Sequence, residues 1–216
     1  VDATPRTKLV LVRHGQTDSN AAGRFQGQQD VPLNRIGRSQ ADALAERLVR
    51  LKAARIVTSD LLRARATADA IATASGVGVS VDERLREIDV GSWQGRTSVE
   101  VAAENPWFEE ALHSGRDFRR SETGETAAEA GERVAAVLHE LAEAHPRETT
   151  FVVGHGLALR VGMCLFLGLG LDASFAISGL WNCSWTILDH NERWRLQSYN
   201  NVVVGHSGPL ASPSSR

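Results

Sequence analysis

Cysteine, methionine and tyrosine are scarce: the 216 residues hold two, one and one. Cys164 and Cys183 form no Cys-x-x-Cys pair, and two thiols in so long a chain suit a reducing cytoplasm better than a stapled secreted fold. Cys164 sits in an apolar stretch and reads as a small buried hydrophobe. An excess of one charge is missing too. A formal net charge of -2 gives no electrostatic footprint for nucleic acid or a membrane surface. No apolar run approaches the roughly 20 residues that a spanning helix needs. Residues 1–8 are polar and lack the apolar centre of a signal peptide, so a cytoplasmic protein is expected. No repeat and no His-Glu-x-x-His or similar metal-ligand pattern is present.

What remains is an ordinary globular composition, 42% hydrophobic and 23% charged, at a length that suits one sizeable domain. We expect a single domain over residues 1–204 with a small inserted cap at about 92–125. A loose Ser-, Pro- and Gly-rich tail follows from 205 to 216.

The run KLVLVR (8–13) reads as a buried strand, and 54–59, 76–81 and 150–154 as three more. Asn34 can cap a helix to about Leu51 with Ile36, Leu44, Leu48 and Leu51 on one face. Asp60 can cap an Ala-rich helix to about Ala74. Thr97 with Glu100, and Thr126 with Glu129, have capping-box spacing. An apolar helix follows His155 and Gly156, near 157–167. Residues 184–190 and 193–199 read as a hairpin at the sheet edge. Strands alternating with helices give an α/β fold: a mostly parallel sheet with helices on both faces.

In such sheets ligands bind at the carboxyl ends of the strands. Arg13, His14 and Gly15 follow the first strand. Ser59, Asp60 and, one helical turn on, Arg63 follow the second. Glu87 follows the third, and Gly154, His155 and Gly156 the fourth. Two His, two Arg and one Glu thus meet at one edge from four distant segments. This set suits phosphoryl transfer. The transferring group spreads negative charge over its oxygens and needs fixed positive donors. Arg offers a planar fork for two such oxygens. A neutral imidazole can attack phosphorus. A carboxylic acid can protonate the leaving oxygen and then deprotonate water. Helix N-termini behind the strands are expected to add backbone donors.

LVRHGQTDSN (11–20) resembles the signature of the histidine phosphatase superfamily, in its phosphoglycerate-mutase-like branch. The resemblance continues through FQGQQDVPLN (25–34), TSDLLRARATA (58–68), RLREIDVGSWQG (84–95), GET (124–126) and VVGHG (152–156). It implies that His14 is the nucleophile and Glu87 the proton donor, and that Arg13, Arg63 and His155 form the phosphate pocket. It implies further substrate contacts from Asn20, Gln26, Gly27 and Gly156, with backbone donors from Gly15 and Thr17 in the signature loop. It implies no metal and no cofactor. Arg38, Asp60 and Arg65 stay structural or solvated.

Within that family LREIDVGSWQGRTS (85–98) resembles phosphatases rather than mutases, and 181–196 resembles actinobacterial phosphatases, including those acting on glucosyl-3-phosphoglycerate. The expected partner is a small phosphate ester, with neither nucleic acid nor membrane, and a homodimer is the assembly considered. The expected enzyme is a phosphomonoester hydrolase using a phosphohistidine. A mutase-type isomerase and a non-catalytic binding module are the alternatives. The cap is expected to read the rest of the ester through Trp107 and Phe108, with Arg116, Arg119 and Arg120 available to a second acidic group.

Overall fold

The computed structural model describes residues 6–205. Six strands form one sheet: β1 (Thr7–Arg13), β2 (Arg55–Thr58), β3 (Val79–Val81), β4 (Thr149–Gly154), β5 (Trp185–Asn191) and β6 (Arg193–Asn201). Their order is β3-β2-β4-β1-β5-β6. The first four run parallel, and β5 and β6 close one edge as the expected antiparallel hairpin. The helices are α1 (Asp18–Ala21), α2 (Arg35–Leu48), α3 (Leu62–Ser75), α4 (Ser98–Glu104), α5 (Phe108–His113), α6 (Ala127–Ala144), α7 (Gly156–Phe166) and α8 (Leu171–Ala176). No helix among the described residues is long and apolar enough to cross a membrane.

Alternation along the central strands builds two cores. Leu9, Leu11 and Val152 join Val134, Leu138, Leu159 and Met163 of α6 and α7 on one face. Val10, Val12, Phe151 and Val153 join Leu44, Leu48, Ala64, Ala68 and Ile71 of α2 and α3 on the other. Side chains on a strand point alternately to opposite faces, so the part of a strand covered on both sides is apolar at every position, as Leu9–Val12 of β1 are. Each fully buried aliphatic side chain contributes about 1.5–3 kcal/mol.

Both capping boxes form, Thr97 with Glu100 and Thr126 with Glu129. Asn34 caps α2 by accepting from the Gly37 N–H at 2.8 Å. Three expectations change. Ile36 is 40% exposed, because the first turn of α2 leans on the His14–Thr17 loop through Gly37 and turns Ile36 outward. Asp60 does not cap α3. The Leu62 N–H donates to Asp30 at 2.7 Å, while Asp60 accepts from Arg86 Nε at 2.8 Å. The cap segment holds two short helices, α4 and α5, where the sequence marks one. The proposed tail beyond Gly205 lies outside the described residues.

One contact fixes the loop that follows β1. A Cβ on Gly37 would lie 2.0 Å from the Gln16 carbonyl oxygen, and one on Gly15 would lie 2.5 Å from the Gly37 carbonyl oxygen. Both obstacles are backbone atoms, which cannot swing aside. Gly37→Ala should therefore cost about 1–3 kcal/mol, the usual penalty for overpacking, and should lower turnover by displacing His14. A thermal unfolding midpoint equal to that of the unsubstituted protein would contradict this.

Candidate active site

The β1 backbone carries Arg13 and His14 to the end of the sheet, where the His14 N–H donates to the Gly154 carbonyl at 3.0 Å. His14 is 2% exposed. Its Nδ1 lies 2.7 Å from the Gly15 carbonyl oxygen. A carbonyl only accepts, so Nδ1 bears the proton and Nε2 keeps its lone pair. The His155 ring stands 5.1 Å away, centroid to centroid, with its Nε2 3.0 Å from Ser59 Oγ.

Two buried guanidiniums flank these rings, and carbonyls hold them rather than carboxylates. Arg63 donates to Gln29 O at 2.7 Å and Gly27 O at 2.8 Å. Arg13 donates to the Leu180 carbonyl. Arg13 Nε, Arg63 Nε and His155 Nδ1 are buried with no hydrogen-bond partner in the protein. A buried polar group left unpaired costs about 1–3 kcal/mol, so three in one place mark a site shaped for a ligand, and the two arginine Nε donors call for an acceptor. Burial pulls the Arg63 pKa down to about 10 against the opposing pull of Glu87. Burial also lowers both imidazoles well below 6.5, with Arg63 the next cause for each.

Glu87 reaches the same cavity. Its carboxylate accepts from the backbone N–H groups of Ile88 and Ala158 at 3.0 Å each and of Leu157 at 3.3 Å. The first-turn N–H groups of α7 at 157 and 158 thus serve Glu87, and that of α3 at 62 serves Asp30. The Gly15 N–H is likewise taken by Thr67 Oγ1 at 3.1 Å and the Thr17 N–H by Asn20 Oδ1 at 3.2 Å. The formal positive charge of the pocket thus comes from side chains, Arg13 and Arg63 foremost.

A cavity of about 670 Å³ opens here, lined by Arg13, His14, Asn20, Gln26, Gly27, Arg63, Glu87 and Gly156 among others. His155 lies behind His14, fully buried. All nine candidate residues are thus brought together. Gln26 Oε1 accepts from Thr17 Oγ1 at 2.8 Å, which leaves its amide N–H groups for other acceptors. Gly27 has φ +53° and Gly156 sits where a Cβ would be 3.3 Å from Arg13 Nε.

Sequence reasoning missed three supports. Asn182 donates to His14 O at 3.1 Å and Asn20 Oδ1 at 3.2 Å. Arg133 donates to the carbonyls of Arg84, Arg86 and Glu87 at 2.8, 2.6 and 2.9 Å, and to Glu125 at 2.8 and 2.9 Å. Arg160 lines the cavity from α7. An arginine on a helix carries no signal of such a role in its own neighbourhood of sequence.

In the cap, Phe108 is 2% exposed and packs edge-on to Trp93 at 5.4 Å. Phe108, Phe118, Arg116 and Arg120 line the cavity, whereas Trp107 and Arg119 do not. Arg119 is turned away to Glu129 Oε1 at 2.5 Å. Arg120 pairs with Asp117 at 3.1 Å and lies over the Phe118 ring.

A doubly covered, mostly parallel sheet whose strand ends gather two neutral imidazoles, two buried guanidiniums and a carboxylate defines a protein that handles an anionic, transferable group. The chain belongs to the histidine phosphatase superfamily (branch 1), whose profile matches residues 9–202. It is 37% identical to a glucosyl-3-phosphoglycerate phosphatase of Mycolicibacterium vanbaalenii over 89% of this chain and 94% of that protein. It is 36% identical to a probable phosphoglycerate mutase GpmB of Yersinia enterocolitica over 96% of each. Among solved structures it resembles a mycobacterial glucosyl-3-phosphoglycerate phosphatase complexed with VO3, at TM-score 0.83 and 35% identity, covering 89% of this chain and 98% of that one.

The two imidazoles make stability pH-dependent. Their folded pKa values lie below 6.5, so as pH falls through that value the unfolded chain takes up protons that the folded state refuses. The stability they contribute is present above pH 6.5 and declines below it. The urea midpoint should fall between about pH 7 and 5, and His155→Asn should flatten the slope. A flat midpoint in the unsubstituted protein would remove the claim.

Proposed function

We propose that this chain hydrolyses phosphate monoesters of small metabolites through a phosphohistidine formed on His14. The observation that carries the reading is the His14 tautomer: Nδ1 donates to Gly15 O at 2.7 Å, so Nε2 is the free nucleophile, beside unpaired donors of Arg13 and Arg63. Nε2 attacks phosphorus, and a bond to nitrogen forms as the bond to the ester oxygen breaks. Arg13, Arg63 and His155 take the charge of the phosphoryl oxygens. Glu87, protonated, gives its proton to the leaving alkoxide and is left a carboxylate. It then takes a proton from water, whose oxygen displaces the imidazole and releases phosphate. Asn20, Gln26, Gly27 and Gly156 line the same pocket and orient the group. Positive charge comes from arginine, so the reading invokes no metal and no cofactor. It treats residues up to 204 as one domain, with the cap over the strand ends.

A mutase is the second reading, favoured by the 36% identity to a probable phosphoglycerate mutase; it would return the phosphoryl group to a second hydroxyl instead of to water. Release of inorganic phosphate from phosphoglycerates, measured beside isomer formation, separates the two.

His14→Ala should lower turnover by at least about 10³-fold, as removal of a nucleophile acting within a unit does. Rapid quench with labelled substrate should give an acid-labile, base-stable label on His14; label on another residue would refute the assignment. Glu87→Gln should slow alkyl esters far more than aryl esters, since a phenolate leaves without a proton. Equal losses on both would count against Glu87 as the acid.

A further inference from the structure

Two main-chain groups of fixed polarity orient two side-chain amides in a row beside His14. Asn182 donates through Nδ2 to His14 O at 3.1 Å and to Asn20 Oδ1 at 3.2 Å. A carbonyl oxygen only accepts, so His14 O dictates that Asn182 presents its Nδ2. The same Nδ2 offers its second proton to Asn20, which must answer with Oδ1. From the other side the Thr17 N–H, which only donates, reaches that Oδ1 at 3.2 Å. The Thr17 hydroxyl, 3.1 Å from Oδ1, gives its proton to Gln26 Oε1 at 2.8 Å. Backbone polarity thus settles which end of each amide is oxygen and which is nitrogen. Both lone pairs of Asn20 Oδ1 are filled. Its Nδ2 has no hydrogen bond to another group among the described residues, and Asn20 lines the cavity.

Asn182 stands on a strained turn. Residues 181–184 close with the Ser184 N–H on Trp181 O at 3.0 Å, and Cys183 inside the turn has φ +53°. A non-glycine residue seldom adopts that conformation and keeps it only where surrounding contacts impose it. Here the Cys183 N–H donates to Arg13 O at 3.1 Å and to His14 O at 3.2 Å. Asn200 of β6, itself at φ +54°, accepts from the Trp181 N–H at 2.8 Å and donates to Gly179 O at 3.1 Å. Backbone bonds and Asn200 therefore secure the turn against β1 without the Asn182 side chain. What that side chain adds is the link from His14 O to Asn20.

We infer that Asn182 is a positioning residue, which holds the Asn20 amide with its N–H groups toward the phosphoryl group. A flipped amide would turn a carbonyl oxygen toward an anionic oxygen, replacing a charge-assisted hydrogen bond with a repulsion. Asn182 is not among the residues lining the cavity and acts through Asn20. The inference rests on the phosphatase reading for the identity of the anion and on the hydrogen-bond chain for the orientation.

The test is a double-mutant cycle on the hydrolysis of p-nitrophenyl phosphate, with kcat/KM measured for the unsubstituted protein, Asn182→Ala, Asn20→Ala and the double variant. Asn182→Ala should lower kcat/KM by about 10-fold where Asn20 is present, the low end for a hydrogen bond to a charged group, and by less than about 2-fold where Asn20 is already alanine. A role in holding the turn or the His14 backbone predicts equal losses in both backgrounds; equal losses, or none in either, overturn the inference. Asn182→Asp, of the same shape with both donors removed, gives the same comparison where the alanine variant does not fold, since its charge acts in both backgrounds. If the unsubstituted protein hydrolyses no phosphate ester, the phosphatase reading falls, and the four proteins are titrated with inorganic phosphate by calorimetry. Asn182→Ala should then weaken binding about 10-fold only where Asn20 is present; equal weakening in both backgrounds, or no binding by the unsubstituted protein, overturns the inference.

Discussion

The structure turns on how two buried arginines are held. Arg13 and Arg63 donate to main-chain carbonyls, Leu180 O for one and Gln29 O and Gly27 O for the other. A carboxylate would hold each guanidinium more strongly, yet it would also neutralise it. Carbonyls fix geometry and leave the positive charge available to an incoming anion. That choice dictates the loops around the site. Residues 27–29 must run close to α3, with Gly27 at φ +53°; residues 177–180 must return beneath the end of β1. It also explains the imidazoles. Burial, with these cations beside them, holds His14 and His155 neutral, as the proposed attack by a ring nitrogen requires.

The carboxylate is managed by the opposite device. Glu87 accepts three backbone N–H groups, two of them from the first turn of α7. The helix that starts after His155 thus gives two of its first-turn donors to Glu87 and ties the third strand's exit to the fourth's. Arg133 completes the arrangement from α6. It gathers the carbonyls of residues 84, 86 and 87 with Glu125, and Glu125 accepts in turn from the Asp89 N–H at 2.9 Å. The Glu of the Gly-Glu-Thr motif therefore acts on the site only through Arg133 and the loop it grips.

The sequence carried the site more fully than the surroundings of the site. Arg13, His14, Arg63, Glu87 and His155 were legible because each follows a strand, and strands buried on both faces are conspicuous as unbroken apolar runs. Capping boxes were legible because their spacing is local. What escaped was set by partners distant in the chain. Asp60 has the composition of a cap, but Arg86 claims it, and Asp30 from another loop takes the α3 N–H. Ile36 fits an apolar helical face until the close approach of Gly37 to Gln16 rotates that face. Arg133 and Arg160 look like solvated helix residues, since nothing within a few positions of either shows that carbonyls from other segments will meet it. Part of each helix N-terminus is claimed in the same way: the N–H groups at 157 and 158 go to Glu87 and that at 62 to Asp30, side chains whose arrival depends on tertiary structure.

The cap has a physical link to the chemistry that its position alone would not give. Trp93 is 3% exposed and touches Phe25, Trp107, Phe108 and Phe118. It shares a core with Ile88 and Val90, which directly follow Glu87. The loop bearing the carboxylate and the aromatic wall of the cavity are therefore one packed unit rather than a body and a movable lid. Interiors packed to crystal-like density respond to a lost or added methylene by shifting neighbours. A change to Phe108 or Phe118 that reshapes the wall must then also move Ile88, whose N–H holds Glu87 Oε1 at 3.0 Å. In the proposed reading, with Glu87 as the acid, the cavity wall and the position of the acid are therefore coupled through that cluster.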